Sequence, residues 1–450
     1  MNTKIRLFAV SAGIIAVVLS VLLLSGSPES RLDSLAKDYV ELALSLEGLG
    51  EGEVDAYFGP GNLQASSKAD AEVIAGQAAQ LHSAVAAIEF PTSNPRQQKL
   101  LARLTQVEKI ARFLADPTAL SFAQETRELY KLPLEEIPET TRLDESGRVV
   151  IDELPPTAVD IRRDAIMDEL RDLLPGTGNL PFKVARFLSS FMVPVEKREE
   201  VFMAALQACK NATLDHWELP ANENLQIEWT RDVSSPWHEY QGNGQSLLQI
   251  NPLTMGFVGS MVDVACHEGY PGHHAQYLLR DQSLIGNTGA LPVEDSLVLL
   301  RSPEAVLLEG SADYAIRLAM PTEQRLNFET EVLFPLAGLD TESIDSYLHI
   351  HNLVSELDAA TIKTLQAYSD GELPETAAAV ALESEAMVAS PRALLSFVND
   401  YGAYSAGYTL AEDQVEKYIE NRSNASGEDP WSILKLILTD SSLLEAVFSE

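Results

Sequence analysis

Basic residues are scarce in this chain of 450 residues: 32 Lys and Arg stand against 67 Asp and Glu, a net charge of -35. So acidic a surface repels phosphate backbones and anionic headgroups, which argues against a nucleic-acid partner. Cysteine is scarcer, with only Cys209 and Cys266. No cysteine lies near the N-terminal apolar run, so a lipid-modified cysteine anchor is excluded. A protein of this size needs no disulfide framework. Cys266 reads first as a small buried thiol, and its pairing with Cys209 is left open. Internal repeats and long low-complexity tracts are absent. What remains, 46% hydrophobic and 22% charged residues, suits an ordinary globular protein with one large or two medium domains.

One long apolar run is present. Lys4 and Arg6 precede an uncharged stretch from Leu7 to Leu24, which as a helix would span about 27 Å, near the thickness of a bilayer core. Residues 1–30 therefore read as a signal or membrane-anchor segment, with an uncleaved anchor favoured. Ser25-Gly26-Ser27 also offers small residues to a signal peptidase. The basic residues ahead of the run place the bulk of the chain on the outer, cell-envelope or periplasmic side.

Histidine occurs eight times, and three of the eight fall within His267-Glu268-Gly269-Tyr270-Pro271-Gly272-His273-His274. The stretch resembles a His-Glu-x-x-His zinc motif, in which histidines one turn apart bind the metal and the glutamate is general base. Two residues are wedged into it. Pro271 occupies the place four after His267 and would clash with that residue's carbonyl in a regular helix. Gly272 adds a freely bending link. A straight helix would put His274 on the face of His267 but about 10 Å along the axis, awkward for bonds of about 2.1 Å to one ion. A local bulge, of the kind found at functional sites, brings His273 round instead. The bland alternative is a solvated histidine cluster on a loop.

Downstream, Ser302 and Pro303 open a segment with helical periodicity that stops before Pro321. Glu309 and Asp313 are four apart and share a face. That arrangement lets one carboxylate bind zinc while the other holds a ligating imidazole by its second nitrogen. An exposed acidic face is the simpler reading of the pair alone.

Cys266 to Gln276, taken with Glu309-Gly310-Ser311-Ala312, resembles the family called domain of unknown function 885, placed among the gluzincin type of zinc metallopeptidases. The resemblance extends to Val54-Asp55-Ala56-Tyr57-Phe58-Gly59-Pro60, Leu173-Leu174-Pro175-Gly176, Pro236 to Asn243, Gln249-Ile250-Asn251 and Leu333 to Gly338. Many members carry Trp-Ala-Leu-Tyr where this chain has Ser311-Ala312-Asp313-Tyr314. The resemblance implies zinc held by His267, His273 and Glu309, Glu268 as base, and Asp313 orienting His267. His274 is expected as a hydrogen-bonding neighbour of the ligands. It also implies that a strand just before the active helix pairs with extended substrate, the place occupied by Ser246 to Asn251.

The expected fold is mainly α, a zincin-like helical fold with a small sheet beside an active-site cleft. Residues 31–215 form an N-terminal helical part and 216–450 the zinc-binding part, with 31–450 as one unit the alternative. Helices are expected at Arg31–Leu46, Leu63–Ile88, Asn94–Leu114, Ala158–Leu174, Lys183–Leu214 and Phe257–Tyr270. Helices also fill the chain from Ser343 to its end, the last opening at Asp429-Pro430. Gln226–Thr230 and Ser246–Asn251 suit strands. The proline-rich region Lys131–Thr157 reads as irregular apart from a short strand at Arg148–Ile151. Tyr404 and Tyr408 are the candidates for stabilising a developing oxyanion, although aromatics at this spacing commonly pack a core. His349 and His351 are poor joint ligands, and Arg301 and Arg392 could grip a peptide terminus. The expectation is an exported zinc peptidase acting on peptide substrates. A zinc amide or ester hydrolase, or a non-catalytic envelope binding protein on the same scaffold, are the alternatives.

Overall fold

Many helices of this chain open where a small polar residue meets a proline. Ser27, Asn94, Ser302 and Asp429 each precede a proline and accept a hydrogen bond from the backbone N–H three residues on, satisfying donors that helix starts leave unpaired. The computed structural model describes residues 26–50, 52–65, 69–135, 141–143, 149–151, 156–288 and 292–449. The protein is mainly helical with small sheets. The expected anchor at Leu7–Leu24 lies outside the described residues. Among those described, no helix is long and apolar enough to cross a membrane.

The chain divides into two compact units. One comprises the chain up to Val54, Gly59–Pro117 and Pro292–Leu297. Its helices are α1 (Pro28–Leu44), α2 (Ala71–Ala86) and α3 (Pro95–Ala115). The expected helix from Leu63 begins only at Ala71, because Asp70 caps it by accepting from the Val73 N–H. The buried Gln97 amide donates to the carbonyls of Val85 and Ile88, closing the α2–α3 turn. Arg96 reaches both Asp33 and the buried Glu294.

The second unit holds Asp55–Phe58, Thr118–Leu291 and the chain from Val298 onward. These units do not coincide with the expected division after residue 215. The second unit contains β1 residues Asp55–Tyr57 of Val54–Tyr57, and a hairpin of β2 (Thr141–Leu143) and β3 (Val149–Ile151). Helices α4 (Ala158–Leu173), α5 (Leu180–Ser189) and α6 (Arg198–Leu214) follow. The expected single helix Lys183–Leu214 is broken because Pro194 cannot continue it. Side chains of α4 and α5, including Ile166, Leu170 and Val184, share a core with Ile350 and Leu353.

A three-stranded sheet comes next: β4 (Asn224–Trp229), β5 (Trp237–Gly242) and β6 (Gln245–Ile250). Strand β6 lies in the centre, parallel to β4 and antiparallel to β5. The turn joining β5 to β6 is Asn243-Gly244, both at positive φ, the two-residue pattern that suits hairpin twist. Both edges of β6 are therefore used inside the sheet. The expected role of Ser246–Asn251 as the strand that receives substrate is thus excluded; among the described residues the edge strands of this sheet are β4 and β5.

Helices α7 (Val258–Val264), α8 (His273–Thr288), α9 (Pro303–Ala319), α10 (Ile344–Ser355) and α11 (Tyr404–Ser426) complete the elements that matter for the site. The backbones of α9 and α11 nearly touch at Gly310, where a Cβ would lie 2.4 Å from the Ala411 carbonyl carbon. Cys209 of α6 is disulfide-bonded to Cys266, 57 residues along the chain, so the pairing left open by the sequence is present. This link explains why α6 belongs with the zinc-motif segment and not with a separate N-terminal half.

Closing a loop of this length restricts the unfolded chain, worth about 4 kcal/mol on the chain-entropy account. The double variant Cys209→Ala, Cys266→Ala should lose roughly that much stability in urea unfolding while keeping its far-UV circular dichroism. Equal unfolding midpoints for variant and parent would show that the link contributes nothing to stability.

Candidate metal centre

The helix carrying His267 does not continue through the motif. After α7 the chain widens into a π-helical turn, Ala265–Gly269, and Tyr270 then turns extended at φ -132° and ψ 125°. The residue before a proline favours that region, so Pro271 never meets the His267 carbonyl as it would in a regular helix. The Gly272 N–H donates to the Cys266 carbonyl. A Cβ at residue 272 would sit 1.7 Å from the His267 carbonyl oxygen, so only glycine fits. A new helix, α8, starts at His273. The expected distortion is present, as a π turn followed by a full break.

The break brings ligand atoms together. One donor atom from each of His267, His273 and Glu309 lies within 4.8 Å of the others. Glu309 Oε2 is 3.1 Å from His267 Nε2 and 3.4 Å from His273 Nε2. Tetrahedral bonds of about 2.1 Å place neighbouring ligand atoms about 3.4 Å apart, so these separations fit the edges of a zinc tetrahedron. Each imidazole is also held from behind, as a ligating histidine requires. His267 Nδ1–H donates to Asp313 at 2.7 Å. His273 Nδ1 meets Gln276 Oε1 at 3.4 Å, and the Gln276 amide donates to the Leu308 carbonyl. Both Nε2 atoms are left for the shared point. The donor set, two imidazoles and a carboxylate, is one that suits zinc.

The charged groups of the cluster act strongly on one another. Burial alone would raise the Glu309 pKa, but His273 and then His267 hold it far below the usual carboxylate range. Burial works against charge on His267, yet Asp313 drives its pKa well above the ordinary value. Glu268 adjoins His267, and burial pushes its carboxyl pKa upward against the opposing pull of His267 and His273. Asp55, which sequence reasoning had assigned no role, enters the same site. Its carboxyl is hydrogen-bonded to Tyr277, and burial, followed by repulsion from Glu309, raises its pKa to about 6.

The tyrosines take different places. Tyr404 donates its O–H to Glu309 Oε1 at 2.8 Å, fixing the oxygen that the imidazoles leave free. Tyr408 hydrogen-bonds with Tyr404, and its ring lies parallel to that of His267 at 6.5 Å. Burial first, then Glu309, raises the pKa of each well above the phenol range. Tyr404 is thus bound to a ligand residue and Tyr408 to Tyr404.

His274 lies apart from the three grouped donors, and it does not hydrogen-bond any of them as the expectation had it. Its Nδ1 accepts from Ser246 Oγ at 2.7 Å and its Nε2 meets Glu223 Oε2 at 3.0 Å. Tyr270 and Lys210 also bind Glu223, and the hydrogen bond from His274 leads the causes that lower its pKa to about 2. The order serine, histidine, carboxylate is that of a nucleophilic triad. With Ser246 2% exposed and His274 fully buried, no substrate reaches it, and the network clamps α8 to the sheet. The remaining candidate residues also fall outside the site. His349 pairs with Glu169, Arg392 with Glu375, Arg301 donates to the Asp400 carbonyl, and the His351 ring packs against Tyr347.

His238, on edge strand β5, is the residue that sequence reasoning missed. Its ring centroid lies 5.9 Å from that of His273 and stacks on Tyr277 at 6.0 Å. Burial and then the neighbouring histidines hold its pKa well below the ordinary value, so it is neutral. The hairpin turn Asn243-Gly244 was the signal that placed a strand, and hence His238, beside the motif.

The chain matches no family model, and no curated protein matches it in sequence. A crystal structure of a Colwellia psychrerythraea protein, provisionally named a lipoprotein, is similar at a TM-score of 0.48 and 12% identity. The match covers 96% of this chain and 72% of that one. A likeness of this degree decides neither fold nor function.

His267→Ala, His273→Ala and Glu309→Ala should each abolish stoichiometric zinc after dialysis against a weak chelator. His274→Ala should keep its zinc and instead lose about 1–3 kcal/mol of stability, since it removes the buried hydrogen bonds to Ser246 and Glu223. If His274→Ala empties the site and His273→Ala leaves it full, the ligand assignment is wrong.

Proposed function

We propose that this chain is an exported zinc-dependent hydrolase, a metallopeptidase of the gluzincin type related to the domain of unknown function 885. The observation that carries the reading is the convergence of His267, His273 and Glu309 on one point, with Glu268 adjoining the first ligand. Zinc bound there would supply Lewis acidity to a water and to the scissile carbonyl. The protein's own residues do the rest. His267 and His273 present Nε2 because Asp313 and Gln276 occupy their other nitrogens. Tyr404 holds Glu309 in place.

Glu268 takes one proton from the attacking water and returns it to the leaving amine, so the peptide C–N bond breaks as a C–O bond forms. A carboxyl whose affinity for protons is raised by burial suits both halves of that transfer. The free edge of β5, beside the ligand helix α8, is the strand available to an extended peptide. An active-site cleft beside the small sheet and export through the Leu7–Leu24 run belong to the same proposal.

The test separates metal from chemistry. Purified protein should hold about one zinc per chain and cleave members of a mixed peptide library. Glu268→Gln should keep the zinc and lose at least roughly a hundredfold in rate, typical for a general base. Parent protein that binds no zinc, or a Glu268→Gln variant of undiminished rate, would sink the reading.

A further inference from the structure

The neutral imidazole of His238 has a feature that the network around it does not explain. Its Nε2 is sealed from solvent and has no hydrogen-bond partner. Such atoms are uncommon, because a buried donor without an acceptor costs about 1–3 kcal/mol. Its neighbours offer nothing that removes the cost. His273 and His274 spend their ring nitrogens on Glu309, Gln276, Ser246 and Glu223. Tyr277 lies face-on, with its ring 16° from parallel, and its hydroxyl is engaged with Asp55. The ring is also rigidly held. It packs between His273 and Tyr277 on a strand whose next inward residue, Tyr240, hydrogen-bonds Asp281 at 2.7 Å. A fixed, unpaired ring nitrogen beside His273 is what a group prepared for a partner arriving with the substrate looks like, and it donates in the tautomer that carries its proton on Nε2.

We infer that His238 is a further catalytic residue, donating its Nε2–H to the substrate's carbonyl oxygen as that oxygen gains negative charge. The inference rests on the peptidase reading above. It moves the oxyanion role away from Tyr404 and Tyr408, whose hydroxyls bind Glu309 and each other. The strand position fits as well: residue 238 lies on β5, so a peptide laid along that edge brings its carbonyl to the same residue that carries the donor.

The variants are His238→Phe, which keeps the ring and removes the donor, and His238→Gln, which keeps a donor. Four quantities are read on each: zinc per chain, thermal midpoint of the metal-free protein, turnover of a library peptide, and calorimetric affinity of the zinc-loaded protein for inorganic phosphate as a tetrahedral oxyanion. His238→Phe should retain full zinc and an unchanged or higher midpoint, since it removes an unpaired buried donor. Its kcat should fall about a hundredfold, typical for one oxyanion donor, with little change in KM, and phosphate should bind at least tenfold more weakly. His238→Gln should recover part of both losses. Loss of zinc or a lowered midpoint in His238→Phe would make His238 structural and overturn the inference. So would kcat and phosphate affinity that match the parent with zinc intact. The peptidase reading fails separately, on parent protein that holds zinc and binds phosphate in a His238-dependent way yet cleaves no peptide.

Discussion

The site depends on an interruption that no regular helix would tolerate. Two residues stand between Gly269-Tyr270 and the histidine that must return to His267. They are a proline without a backbone donor and a glycine whose Cβ would overlap the His267 carbonyl. The π turn at Ala265–Gly269 and the extended Tyr270 absorb the surplus. The Cys209–Cys266 disulfide fastens the segment to α6 immediately before the first ligand. Widened turns lose backbone regularity and carry a cost; here the disulfide, the Gly272 N–H to Cys266 carbonyl bond and the buried faces of α7 and α8 offset it.

Charge explains why the donors are arranged in pairs. Glu309, Glu268, Asp313 and Asp55 gather around two imidazoles in a chain with 35 more acidic than basic groups. Burial raises the carboxyl pKa of both Glu268 and Asp55, and repulsion from Glu309 adds to it, while the imidazoles pull the other way. A divalent ion placed there would meet the field of the whole cluster as well as three donor atoms. The hydrogen bonds from Tyr404 and to Asp313 and Gln276 matter for the same reason: they decide which lone pairs face the ion.

Much of this was legible in the sequence because it obeys local rules. Caps at Asn94 and Ser302, the helical spacing of Glu309 and Asp313, and the Pro-Gly break are all short-range facts. What was not legible depends on long-range pairing. Strand β5 was missed although Asn243-Gly244 announces a hairpin, and with it the sheet order that makes β6 central. A strand's neighbours are chosen by register and by the faces they bury, which residues 245–250 alone do not record. His238 and Asp55 were missed for a related reason. A lone histidine in a polar strand and a lone aspartate near a glycine turn carry no periodic signal; only the fold brings them to His273.

His273 and His274 show most directly how helix phase divides the work of adjacent residues. Neighbours on a helix point about 100° apart, so when α8 directs residue 273 at Glu309 it must direct residue 274 elsewhere. That other direction is the sheet. There His274 binds Ser246 of the central strand and Glu223 just before β4, and the charge on Glu223 is shared with Tyr270 and Lys210. Both histidines thus leave the same helix start in different directions. One sets the metal point and the other sets the distance between that point and the sheet whose edge carries His238. A shift of α8 along its axis would disturb both together, so the strand and the ligand set are positioned by a single element, with no separate adjustment.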